Sequence, residues 1–134
     1  MGHREDMLEV VRGAYAARDR GDLDGLMAGL HAEAVFTLVG DESALALVGS
    51  VQGHPKLREA FGQFIANFGF VERKILSELV DGERAAVHSC LVVRYQPTGK
   101  SFATDVLDLF RFKDGKIVEL VEFADTAQIK AMIS

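Results

Sequence analysis

The chain has 134 residues, enough for one domain (1–134) that buries roughly two thirds of its unfolded surface. Hydrophobic residues at 49% and charged residues at 26% describe a globular protein rather than a disordered or membrane-embedded one. A net charge of -5 argues against nucleic acid or an anionic membrane as partner, because both select clustered Lys and Arg.

From Met7 to Arg20, Leu8, Val11, Ala14 and Tyr15 recur at helical spacing and Gly21 ends the run. Asp22 can cap a second, shorter helix bearing Leu23, Leu26, Met27 and Leu30, although Gly25 and Gly29 weaken it. A strand is predicted at 34–39. Residues 40–53 read as a long loop whose apolar insert LALVG would suit a lid. His54-Pro55 opens a helix with a strongly apolar face of Leu57, Phe61, Phe64, Ile65 and Phe68. Strands follow near 70–80, 84–97, 101–112 and 116–124, separated by Asp81-Gly82, Pro97-Thr98-Gly99 and Asp114-Gly115, so neighbours should run antiparallel. Asp125 to Gln128 resembles a capping box for a last short helix.

The order α-α-β-α-β-β-β-β-α predicts an α+β domain, a cone in which a curved antiparallel sheet wraps a long apolar helix. Between such a sheet and its helices a cavity for a small ligand can remain. The lone Cys90, in the apolar run CLVV, is expected to be buried, and it cannot form an internal disulfide. No charged-then-apolar leader precedes the first amphipathic segment, and with that cysteine usage a cytoplasmic protein is expected. No segment has metal-ligand spacing such as HxxxH or CxxC, so neither a metal nor a cofactor is implied.

One strand breaks the apolar rule. In DVLDLFRF, strict alternation puts Val106, Asp108, Phe110 and Phe112 on one face. Asp108 therefore has only apolar neighbours on its own side. It pairs with an arginine from another strand, such as Arg73 or Arg94, or is exposed at the mouth of the domain, or points into a pocket as a functional acid. Phe61, Phe64 and Phe110 are the candidate walls of that pocket.

The segments YAARDRGDLDGLMAGLHAEAVF, GHPKLREAF and LDLFRFKDGKIVELVEFADTA, in this order and spacing, resemble the nuclear transport factor 2-like superfamily, in its SnoaL-like and steroid-isomerase-like branch. The resemblance covers nearly the whole chain and implies a cone-shaped domain, commonly dimeric, with a pocket for a small hydrophobic molecule. It does not imply one reaction. Compared with the ketosteroid isomerases, Asp108 matches the aspartate of the oxyanion hole. The partner tyrosine falls at Ala14, with Tyr15 one residue on and rotated by about 100°. The general base falls at Leu38, or at Thr37 after a one-residue shift, and neither can accept a proton from carbon. Standard steroid isomerisation is thus not expected, unless Asp41 folds back as base. The same comparison places Leu120, Glu122 and Ala124 on the cavity side of the last strand, which periodicity alone leaves undecided. Glu122 becomes a second candidate acid, and two carboxyls in one apolar pocket hold a proton between them.

The leading functional expectation is an acid/base enzyme of isomerase, cyclase or hydrolase type acting on a small apolar metabolite. Asp108, Glu122 and Tyr15 would be its catalytic groups, with Phe61, Phe64, Phe110, Leu120 and Leu38 lining the pocket. The competing expectation is a non-catalytic ligand carrier or protein-interaction module of the same fold. On the sheet's other side Leu107 and Leu109, with Ile117, Val121 and Phe123, would leave an apolar outer face suited to a homodimer.

Overall fold

The computed structural model describes residues 2–43 and 46–134. Helix α1 (Gly2–Asp19) buries Met7, Leu8, Val11, Ala14 and Tyr15, a stripe with three- and four-residue spacing. It begins before the apolar pattern does, because residues 3–6 are polar and exposed and add nothing to the stripe. Gly21, at φ 76, turns the chain, and Asp22 caps α2 (Leu23–Ala28) by accepting from the Gly25 N–H at 2.9 Å. A Cβ at Gly25 would collide with that carboxyl, which accounts for a glycine inside so short a helix.

After α2 come β1 (Leu30–Val39), β2 (Gly49–Gln52), α3 (His54–Asn67), β3 (Phe68–Asp81), β4 (Arg84–Tyr95), β5 (Lys100–Lys113), β6 (Lys116–Ala124) and α4 (Thr126–Ile133). The result is an α+β fold with one curved, unclosed sheet in the order β2-β1-β6-β5-β4-β3. Asp114 and Gly115, at φ 54 and 76, make the tight turn between β5 and β6, as Asp-Gly predicts.

Three features depart from the sequence reading. First, the sheet is mixed, because β1 runs parallel to β6. Turn signals report only strands joined by a hairpin, and no hairpin joins these two. Second, the 40–53 loop is shorter than expected, since β2 pairs antiparallel with β1 from Leu38↔Gly49 to Val35↔Gln52. Ala44 and Leu45, part of the lid reading, lie outside the described residues, while Leu47 packs against the core. Third, Ile117 is buried rather than on the outer face. Between Arg111↔Glu119 and Phe112↔Ile117 the register slips, leaving Val118 as a bulge, and the extra residue returns Ile117 to the inner side.

The core lies between the concave face and helices α1 and α3. The longer helix is α1, with 18 residues, and α3 has 14, so two helices rather than one fill the sheet's hollow. From α3, Leu57 and Phe61 are buried, and Phe61 meets Phe36 of β1 edge-on at 5.0 Å. At the C-terminus, the Asp125 carboxylate accepts from the Gln128 N–H at 3.0 Å. The Gln128 side chain donates to the Ala103 carbonyl at 2.8 Å instead of completing the box, and this fastens α4 to β5. Leu57 is fully enclosed. Leu57→Ala is expected to lower the unfolding free energy by about 3 kcal/mol in urea titration, and a loss under about 1 kcal/mol would contradict this packing of α3.

Candidate active site

On β5 the inner row Thr104, Val106, Asp108, Phe110 and Phe112 is buried throughout. With α1, α3 and the other strands it encloses a cavity of about 120 Å³. Its lining includes Tyr15, Asp108, Glu122, Phe61, Phe64, Phe110, Leu120 and Leu38. Four strands place Leu38, Glu122, Asp108 and Val87 side by side in one lateral row. Glu122 thus stands directly between Asp108 and Leu38. Its position was undecided by alternation because both faces of β6 are largely apolar.

Asp108 is 2% exposed. The Tyr15 hydroxyl donates to its Oδ2 at 2.6 Å. The one-residue offset of Tyr15 from the isomerase pattern therefore does not carry its hydroxyl away from this acid. Oδ1 of Asp108 is enclosed and meets no hydrogen-bond partner among the described residues. Burial, then the Glu122 charge and the hydrogen bond between the two carboxyls, push Asp108 well above the usual carboxylate range. Tyr15 and Arg73 act against that rise without overturning it. The protonated form of Asp108 is thereby favoured. Burial first, and the Asp108 charge second, raise the Tyr15 phenol, so it also keeps its proton.

Neither arginine weighed as a partner forms an ion pair with Asp108. The Arg73 guanidinium donates twice to Asp19, at 2.8 and 2.9 Å, and covers the Tyr15 ring at 3.8 Å. It fixes the ring that presents the hydroxyl. Arg94 is exposed on the outer face. Of the alternative bases, Thr37 bonds Ser50 at 2.7 Å and Asp41 is exposed, accepting from Ser43 at 2.8 and 2.9 Å. His88 also points outward, 2.9 Å from Asp105. Cys90 is half-buried rather than enclosed.

Two cavity groups were not singled out from the sequence as site residues, Arg73 and Arg18. Arg18 continues the stripe of Val11, Ala14 and Tyr15 at the next helical position. A charge on an otherwise apolar stripe is the same signal that marked Asp108. Among the described residues, no three His, Cys, Asp or Glu side chains stand together as a metal site. No described helix is long and apolar enough to cross a membrane.

A family model of the SnoaL-like domain matches residues 11–120. The chain belongs to the SnoaL-like family. Its fold is that of the nuclear transport factor 2-like proteins, among them one from Burkholderia pseudomallei with 24% identity. The match covers 96% of this chain and 98% of that one, with TM-score 0.82. A proposed isomerase from Bacillus subtilis, 14% identical, covers 100% and 98% of the two chains with TM-score 0.86. An LEH-like epoxide hydrolase from Mycobacterium tuberculosis, 20% identical, covers 92% and 85% with TM-score 0.75. No curated protein matches by sequence. At these identities the SnoaL-like domain shares a fold with each, and the chemistry must be argued from its own side chains.

The protonated acid has a thermodynamic consequence. Between the ordinary aspartate pKa and the higher folded value, the folded SnoaL-like domain keeps a proton that the unfolded chain has released. Stability therefore falls as pH rises through that window, by about 1.4 kcal/mol per pH unit. Asp108→Asn removes this dependence. Denaturant titrations from about pH 4 upward are expected to show its stability, relative to the unmodified protein, rising with pH. A flat difference would mean that Asp108 is ionised in the fold.

Proposed function

We propose that this SnoaL-like domain is an acid/base enzyme for a small apolar molecule bearing a carbonyl or epoxide oxygen. The observation that carries the reading is Asp108, an enclosed carboxylic acid between the Tyr15 hydroxyl and Glu122 in an otherwise largely apolar cavity. A substrate oxygen that takes the Asp108 hydrogen bond withdraws it from Glu122. The acid and the base are then produced by one event. Asp108 delivers a hydrogen bond or a proton to oxygen, and Glu122 takes a proton from the adjacent carbon or from an attacking water. Tyr15 holds Asp108 in orientation and stabilises the carboxylate that remains after proton transfer.

Leu38, standing where the isomerases carry their base, supports assigning that task to Glu122, its neighbour across the strand pair. Isomerisation and epoxide opening both fit this pair, since each needs a proton near oxygen and a base nearby. Two structures of this fold are described as an isomerase and an epoxide hydrolase. Cyclohexanone in D2O, followed by NMR for exchange of its α-protons, and styrene oxide, followed for diol formation, test the two branches. Catalysis of at least one is expected, with Asp108→Asn slower by about 10²- to 10⁴-fold. Binding without turnover, unchanged by Asp108→Asn, would instead make the protein a carrier.

We infer also that the outer sheet face meets a second copy of the chain. Leu79, Leu107, Leu109 and Phe123 are exposed there, between 38% and 66%, although Ile117 does not contribute. A contiguous apolar face of this kind on a strand surface is unfavourable in water and favours burial between copies. Light scattering is expected to show a dimer at micromolar concentration and a monomer for Leu109→Arg. A monomer in both would refute the interface.

A further inference from the structure

The cavity also carries a cation that the acid pair does not employ. Arg18 lies one turn beyond Tyr15 on α1, about 4.5 Å along the helix axis. The two cavity arginines are held differently. Arg73 gives two donors to the Asp19 carboxylate, and its charge is matched. Arg18 donates through Nη2 alone, to the carbonyl oxygens of Phe68 at 2.7 Å and Phe64 at 3.4 Å. Its guanidinium lies 3.7 Å above the Phe70 ring.

A guanidinium has five N–H donors in a rigid plane. The carbonyls at the end of α3 engage only one nitrogen, leaving Nε and Nη1 of Arg18 without an acceptor among the described residues. Among the described residues Arg18 forms no ion pair, within a 4.0 Å limit. Glu122 is close enough to favour its charge without touching it. Burial lowers its pKa only to about 10, so the group is cationic at neutral pH. Capping α3 explains the one nitrogen that is used. It does not explain a guanidinium on an apolar cavity wall with its other donors free.

We propose that Arg18 anchors an anionic end group, so that the ligand is a small apolar carboxylic acid whose other end reaches Asp108. This rests on the reading of the cavity as a ligand site and specifies which ligands it takes. Around a half-buried guanidinium a charge-assisted hydrogen bond is stronger than a neutral one. The upward shift of the Asp108 pKa weakens one source of repulsion for an incoming carboxylate.

Benzoate and its near-isostere benzamide separate charge from shape. Calorimetric titration of the full chain at neutral pH is expected to give benzoate the tighter binding by about tenfold, one charge-assisted bond against one neutral bond. In Arg18→Met the ratio should fall to about one, and in Arg18→Lys part of it should return. A purely structural arginine would change the melting temperature of these variants and leave the benzoate-to-benzamide ratio alone. Equal affinities in the unmodified protein, no binding of either probe, or a ratio that survives Arg18→Met would each overturn the assignment. Failure here is distinct from failure of the acid/base reading. Benzamide binding that depends on Asp108, without preference for benzoate, removes the anchor only. Benzoate preference together with turnover indifferent to Asp108→Asn removes the acid/base reading only.

Discussion

A carboxyl group closed into the hollow of a curved sheet must find a cation or keep its proton, and much of this site follows from how Asp108 meets that demand. The nearest candidate cation, Arg73, is committed to Asp19. What reaches Asp108 instead is a phenol at 2.6 Å and a second carboxyl. Neither supplies a positive charge, so the protonated form is favoured. Arg73 still contributes, because its guanidinium over the Tyr15 ring keeps the hydroxyl aimed at Oδ2. An ion pair one layer away thereby sets the direction of a hydrogen bond without neutralising the acid it serves.

The lateral row Leu38, Glu122, Asp108 shows how one fold can exchange chemistries. Strand pairing fixes the positions in the row, and side-chain identity at each is free to change. Replacing a carboxylate on β1 by leucine removes a base there. Glu122, one strand closer, is the direct cross-strand neighbour of Asp108. Here the two carboxyls are cross-strand neighbours in one cavity, and the charge of one raises the pKa of the other. The geometry of the sheet is common to all these proteins, while the coupling between acid and base is local to the side chains.

Much of this was legible in the chain. Asp108 stood out because a period-two pattern tolerates a polar residue on its apolar face only with a reason. The caps at Asp22 and Asp125, the Asp114-Gly115 turn and the long strands were visible through local chemistry. Other features had no local signal. The parallel pairing of β1 with β6 joins segments far apart in sequence, and the bulge at Val118 lies in a run apolar on both faces, where alternation carries no information. The face of Glu122 came from family resemblance rather than periodicity. Arg18 did break a pattern, yet an arginine near a helix end reads as a surface residue until the sheet is seen to pass over it.

The contact between Tyr15 and Asp108 spans 93 residues, and β1 joins the main sheet through β6. No fragment that ends before β6 can hold the site, because it lacks the wall bearing Glu122. In such a fragment α1 must present a tyrosine and an arginine on a face meant for enclosure, and the first strand has an unpaired edge. Closing so long a loop is entropically slow and makes the sheet's completion a late event. The pocket is complete only once β1 and β6 are paired.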